Sequence, residues 1–211
     1  MKNYSHAKIA GNLLEDNHEF GMSLDSGDQL QIAQNTVRAS KGGHLDGPGI
    51  LVDGAQKVAV ENNTIRDASV GMLLQAGSDL SIKENFIQNS LNHGIYSFDL
   101  KRGAIHQNTI LDTFASGHYP GFACAVSVKG VSSFDITDNI IANTQGRGIE
   151  VEESSLGISS IHEISGNWIE GGIPTQETDL GIGVIRTSSF HRIEIQKIEN
   201  NYIINQPEAG I

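Results

Sequence analysis

The chain has 211 residues, 38% hydrophobic and 6% aromatic, and a formal net charge of −11. That acidity excludes the basic footprint that nucleic-acid binding requires, so no nucleic acid is expected as a partner. No apolar run reaches the roughly 18–20 residues of a membrane span, and the segment from Met1 to His6 lacks the apolar core of a signal peptide.

In chain order, the first predicted element is a short strand ending near Ile9, three residues before Asn12 and five before Leu14. This frame returns at Ile32/Asn35/Val37, Val60/Asn63/Ile65, Ile82/Asn85/Ile87 and Ile105/Asn108/Ile110. It continues at Ile136/Asn139/Ile141, Ile164/Asn167/Ile169 and Ile198/Asn201/Ile203. Between the frames lies a second signature, a glycine followed by alternating apolar residues. It reads Gly21-Met22-Ser23-Leu24, Gly49-Ile50-Leu51-Val52, Gly71-Met72-Leu73-Leu74, Gly94-Ile95-Tyr96-Ser97, Ala125-Val126-Ser127-Val128 and Gly148-Ile149-Glu150-Val151. From this residue to the next asparagine is 14 residues in five successive units: 21 to 35, 49 to 63, 71 to 85, 94 to 108 and 125 to 139. The interval grows to 19 (148 to 167) and then 18 (183 to 201), which places short insertions near 152–159 and 187–192.

Period-2 alternation of β-branched residues marks strands, and the 24 glycines mark turns. Each unit therefore holds a strand at the glycine signature, a strand ending near the −3 residue, a tight turn at the asparagine and a third strand. Three short strands in each turn of roughly 22 residues make a parallel β-helix, whose units bury their apolar faces against one another. Its stacked asparagines can hydrogen-bond along the axis, and a small residue opening the first strand suits a tight corner. A leucine-rich repeat also sets Asn between apolar residues. Here two strand signals occur per unit and no helical period fills the remainder, which favours the β-helix. The predicted fold class is all-β, a solenoid of about eight coils with three short strands each, in one domain over 1–211. The lone cysteine, Cys124, has no intrachain partner and leaves the redox compartment open.

Departures from the repeat point to a site. The interval from an asparagine to the next glycine is 8 or 9 residues in five units, but 14 after Asn35, 17 after Asn108 and 16 after Asn167. Three longer loops, near 38–48, 113–124 and 171–182, thus emerge along one edge, where function usually sits. The outward residues of the first strands are the floor beside them. Two residues after the glycine these are Ser23, Leu51, Leu73, Tyr96, Ser127, Glu150 and Ile185; four after, they are Asp25, Asp53, Gln75, Phe98, Lys129, Glu152 and Thr187.

Tyr96 and Phe98 offer either an aromatic surface for a sugar ring or a packing surface under the 113–124 loop, with His93 before them and Asp99, Lys101 and Arg102 after. His118 and Tyr119 lie in the 113–124 loop, and His44 and Asp46 in the 38–48 loop; a histidine there suits a general base. Glu150 and Glu152 would share a face beside Lys129, and carboxylates roughly 5–9.5 Å apart can hydrolyse a glycosidic bond. The alternative for this pair is solvated charge on an acidic protein. Asp25 and Asp53 would stack on successive coils and repel unless a cation intervenes, which admits Ca²⁺; no other metal or cofactor is implied.

Residues 7–211, through motifs such as Val60-Glu61-Asn62-Asn63-Thr64-Ile65 and Gly94-Ile95, resemble the right-handed parallel β-helix superfamily of pectate lyase-like and parallel β-helix repeat proteins. The resemblance implies a right-handed coil, a substrate groove on the first sheet, and a secreted, cell-surface or periplasmic location. Members include polysaccharide lyases, glycosidases, epimerases, phage tailspikes and noncatalytic surface proteins, so fold alone does not choose among them. The stretch from Ile95 to Gly103, followed by Asn108-Thr109-Ile110, is also similar to alginate C5-epimerases. Leu100-Lys101-Arg102 stands where that family has Pro-His-Asp, so only Tyr96, Asp99 and Arg102 carry over, as groove residues.

Two functions follow as expectations. One is a carbohydrate-active protein acting on an extended polysaccharide as a lyase, epimerase or glycosidase, with Lys129, Glu150, Glu152, His118 and Asp99 as the reacting groups. Tyr96, Phe98, Lys101, Arg102, Tyr119, His44, Asp46 and His93 would then bind the substrate. The other is a noncatalytic structural or carbohydrate-binding module. Neither end carries an amphipathic capping helix, so the chain is expected to be part of a larger protein or to self-associate through its ends.

Overall fold

The computed structural model describes residues 2–38, 47–115, 123–153, 159–171, 181–185 and 192–204. Among them the regular structure is strand throughout, with no helix, and the registered strand pairs are parallel. The first sheet contains Pro48–Asp53, Val70–Gln75, His93–Phe98, Cys124–Lys129, Arg147–Glu152 and Ile182–Ile185. The second contains Gln56–Glu61, Ser78–Lys83, Gly103–His106, Phe134–Thr137, Ser159–Ser165 and Ile193–Glu199. The third runs through Leu13–Glu15, Thr36–Arg38, Thr64–Arg66, Phe86–Ser90, Thr109–Thr113, Ile140–Thr144, Trp168–Gly171 and Tyr202–Ile204. One long strand, Met22–Ala33, serves both the first and second sheets, pairing with Pro48–Asp53 and then with Gln56–Glu61. This is the expected parallel β-helix.

The chain enters earlier than the repeat suggests. Lys2–Ser5 pairs with the long strand, Lys2 opposite Asp25, and Lys8–Ala10 continues beside Gln31 to Ala33. A partial coil therefore precedes the first asparagine frame.

Alternation fills the interior by rows. Ile50, Met72, Ile95, Val126 and Ile149 point in from the first sheet, and Val60, Ile82, Ile105 and Ile136 from the second. Ile65, Ile87, Ile110, Ile141 and Ile169, the residues two after each asparagine, are fully buried in the third. Each buried Ile or Val contributes roughly 1.5–3 kcal/mol over an exposed one, which is why β-branched residues recur where coils stack.

At the turn between second and third sheets the asparagines form a continuous ladder. Asn108 Nδ2 donates to Asn139 Oδ1 (3.1 Å) and to the Ile82 carbonyl (2.9 Å). Its Oδ1 accepts from the Asn85 amide nitrogen (3.0 Å) and from Asn85 Nδ2 (2.9 Å). The same pattern links Asn12 through Asn201. The residue before each rung is left-handed: Gly11, Gln34, Asn62, Glu84, Gln107, Asp138, Gly166 and Asn200 have φ between 56° and 70°. None of these is β-branched, as that conformation requires. The two-residue turn reverses the chain while the next side chain satisfies the backbone groups the turn exposes.

The glycines that open the first strands have a different reason from a corner conformation. A Cβ on Gly94 would sit 2.5 Å from Ile110 Cγ2 of its own coil and 2.6 Å from the Ala125 carbonyl of the next. Gly49, Gly71 and Gly148 meet Ile65, Ile87 and Ile169 in the same way. The third sheet's isoleucine thus occupies the volume a side chain would need. Gly94→Val is expected to destabilise by about 1–3 kcal/mol or more in urea unfolding, as overpacking does. An unchanged midpoint would show that the coils can separate to admit it.

Candidate functional site

The outward rows of the first sheet are in the predicted order for most of their length. Leu73, Tyr96, Ser127 and Glu150 are Cα partners in one row, and Gln75, Phe98, Lys129 and Glu152 in the other. The last coil is shifted. Glu150 pairs with Gly183 and Glu152 with Ile185, so Gly181 takes the place expected of Gly183. Ile185 thereby moves to the second row, and Thr187 lies outside the described residues. The insertions between first and second strands obscured this offset of two in the sequence.

The two rows differ in exposure. Leu73, Ser127, Glu150 and Gly183 are buried and Tyr96 is half-buried, while Gln75, Phe98, Lys129, Glu152 and Ile185 are partly open. The accessible floor is therefore the second row, with the first as its covered flank.

At the centre is a charged cluster of four side chains. Glu150 is 4% exposed. It is ion-paired with Arg147 through Nη1 and accepts from Ser127 Oγ (3.4 Å). Burial pushes its carboxyl up to about 7, helped by a hydrogen bond to Glu152; the Arg147 guanidinium pulls the other way. The two influences conflict. Burial prevails because the Glu152 charge offsets much of what Arg147 contributes. Glu152 is also raised by burial, but its hydrogen bond from Glu150 and the Lys129 ammonium (3.1 Å) together hold it below the usual carboxylate range. The result is two neighbouring carboxyls whose pKa values are driven apart, Glu150 upward and Glu152 downward. Neither is simply solvated charge: Glu150 is buried and Glu152 is partly buried beside Lys129.

The aromatic groups adjoin this cluster one and two coils back. His93 stacks on Tyr96 (centroids 4.8 Å, 26°), and Tyr96 meets Phe98 at 5.3 Å and 37°. Burial, with the charges of Glu152 and Glu150, pushes the Tyr96 phenol up to about 12, so it is a hydrogen-bond donor at neutral pH. Tyr96, Phe98, His93, Lys129, Glu150 and Glu152 are thus gathered on one face.

Other predicted residues are placed elsewhere. Asp99 is an exposed left-handed turn residue (φ 54°) whose amide donates to the Lys129 carbonyl. Lys101 is exposed on that turn, and Arg102 forks onto Asp79 of the preceding coil (2.6 and 2.9 Å), away from the cluster. His44, Asp46, His118 and Tyr119 lie outside the described residues, as do most of the three longer loops. Asp25 and Asp53 are paired across successive coils. Lys2 Nζ lies 3.2 Å from Asp25, whose pKa is lowered by hydrogen bonds from Ser26 and Lys2. Among the described residues no group of three or more His, Cys, Asp or Glu is arranged to hold a metal ion. The residue that sequence reasoning missed is Arg147. It precedes Gly148, in the position of His93 and Cys124, and that row was not read as facing the floor.

Comparison with solved structures gives one loose likeness, to the Azotobacter vinelandii mannuronan C-5 epimerase AlgE4 A-module. It has 11% identity and a TM-score of 0.24, and covers 100% of this chain and 91% of that one. No curated protein matches. The model of the right handed beta helix region matches residues 1–124 and 44–203, nearly the whole repeat. With its parallel three-strand coils and asparagine ladder, the chain belongs to the right-handed β-helix family.

Proposed function

We propose that this is a carbohydrate-active protein that holds an extended polysaccharide along the outer face of the first sheet and acts by proton transfer, as a lyase or epimerase does. The observation that carries the reading is the Glu150–Glu152 pair beside Lys129 and Arg147, one carboxyl pushed up to about 7 and its neighbour held below the usual carboxylate range. Opposed environments of this kind let one site offer an acid and a base at the same pH. Tyr96 and Phe98 supply a platform for a sugar ring, and Lys129 and Arg147 concentrate positive charge on an otherwise acidic protein.

Glycoside hydrolysis needs carboxyls about 5–5.5 or 6.5–9.5 Å apart. Here both carboxyls stand on one strand with Lys129 beside them, so removal of the proton beside a uronate carboxylate fits better. The C5–H bond would break toward Glu152 while Lys129 shares its charge with the substrate carboxylate. In an elimination a C4–C5 double bond forms, and the departing O4 takes the proton held by Glu150. A secreted or cell-surface location would suit such a substrate.

The second reading is a noncatalytic structural or carbohydrate-binding module. It is favoured by Lys129 and Arg147, which already pair with both carboxylates. The protein is to be assayed on alginate, pectate and acidic capsular polysaccharides. Unsaturated ends would be followed by ultraviolet absorbance and C5 inversion by proton NMR. Either signal is expected on one of these polymers. Silence across the panel, with retention in a polysaccharide-containing gel, would overturn catalysis and leave the binding module.

A further inference from the structure

The third sheet carries its own row of outward side chains, one residue after each asparagine. In register they run Leu13, Thr36, Thr64, Phe86, Thr109, Ile140, Trp168 and Tyr202. Three threonines, with Phe86 among them, hold its middle and Leu13 its first position, while its last three members form a continuous large, apolar and open run: Ile140 is 50% exposed, Trp168 44% and Tyr202 52%. Trp168 and Tyr202 lean on each other, with centroids 4.4 Å apart and planes at 38°. Leaving two adjacent aromatic rings in water forgoes the burial that their area favours, and nothing in the solenoid's packing requires them there.

The platform is rigid. The amides of Trp168 and Tyr202 donate to the carbonyls of Asn139 and Asn167 (both 2.8 Å), so both backbones are fixed against ladder residues. With the backbone fixed and the two rings in mutual contact, a ligand has less to order, which lowers the entropic cost of binding. The indole N–H and phenol O–H at the rim suit hydroxyl groups.

Charge and size select the occupant. The three strands that carry the patch, Ile140–Thr144, Trp168–Gly171 and Tyr202–Ile204, contain no lysine or arginine and one acid, Glu170. A polyuronate finds no cation there, whereas an uncharged sugar presents an apolar ring face to an indole without an unpaired charge. Three strands at about 4.8 Å spacing span only about 10 Å. A second protein copy needs on the order of 800 Å² per partner, far more than this patch provides.

We propose that Trp168 and Tyr202, flanked by Ile140, form a second carbohydrate site that takes a neutral glycan chain. It lies on a different sheet from the Glu150–Glu152 site and does not depend on it.

Trp168 is the one tryptophan of the chain, so its fluorescence reports this face alone. The four tyrosines also emit, so the test adds a Trp168→Phe difference spectrum. Titration with neutral β-linked gluco-, manno- and xylo-oligosaccharides is expected to give a saturable change for at least one of them. That change should persist in Glu150→Gln and weaken at least about tenfold in Tyr202→Ala, shown folded by circular dichroism. No response to any neutral oligosaccharide, or a response confined to oligouronates, would overturn the proposal. So would a dimer in sedimentation velocity that Trp168→Ala abolishes, because the patch would then belong to a second copy.

Discussion

Asn108→Ala is expected to destabilise the chain by roughly 2–6 kcal/mol, about 1–3 for each of two buried groups it would orphan. Those groups are the Asn85 amide N–H, which now donates to Asn108 Oδ1, and the Ile82 carbonyl, which accepts from Asn108 Nδ2. Both lie where water cannot replace the lost side chain, since Asn108 is 1% exposed. The methyl of alanine also leaves a gap between coils that the stacked backbones cannot close without breaking their own ladder. Asn12 provides the control. It is exposed at the first rung and donates to Asn35, but no earlier rung depends on its oxygen. Asn12→Ala should cost no more than about 1 kcal/mol, the ordinary net worth of a hydrogen bond. Urea unfolding of both variants is the measurement. Equal shifts would mean that the ladder is decoration and that the isoleucine rows alone hold the coils.

The asymmetry between those two asparagines also shows what the sequence could reveal. Ile, Asn and Ile at fixed offsets report a local requirement repeated in each coil, so both the fold and its register were legible wherever that requirement repeats. The glycine signature was legible for the same reason, although its cause is the isoleucine across the coil and not the turn. What repetition does not encode was harder to read. Gly181 was hidden behind Gly183 because an insertion changed the count and both residues are glycine. The Lys2–Ser5 strand contains Asn3 but stands outside the frame of apolar residues at fixed offsets that marks the other coils. The floor residues Tyr96, Lys129, Glu150 and Glu152 follow from alternation, but alternation gives direction and not depth. It could not distinguish the buried Glu150 from the partly open Glu152. Arg147 is visible only as the residue before a glycine, and its role arises because its side chain reaches Glu150 three positions on. Trp168 and Tyr202 are separated by 34 residues of sequence (202 minus 168) and meet only through the pitch of the coil.

If the carboxyl pair performs chemistry, Glu152→Gln should lower kcat/KM by about 10²–10⁴-fold, the usual contribution of a general acid or base. Glu150→Gln should do the same, since it removes the proton that the pair shares. In the unsubstituted protein, activity requires Glu150 protonated and Glu152 ionised. The rate should therefore fall at low pH as Glu152 gains a proton and at high pH as Glu150 loses one, near about 7. Those limbs belong to the pair and not to either residue alone. Stability supplies an independent reading with a definite sign. The Glu150 pKa is raised on folding, so its contribution is fully present below the unfolded carboxyl value and is lost as pH rises through about 7. Glu152, lowered on folding, contributes stability above its unfolded value and loses it as pH falls through its folded pKa. The unfolding midpoint should thus decline from about pH 5 to about pH 8, and Glu150→Gln should flatten that decline whatever it does to activity. Glutamine stands in for the protonated carboxyl, so the variant should match the parent at the acidic end and be the more stable of the two at the alkaline end. A parallel decline in both proteins would place the titration elsewhere. A Glu152→Gln variant with full activity would remove the pair from catalysis, even if the stability profile behaved as expected.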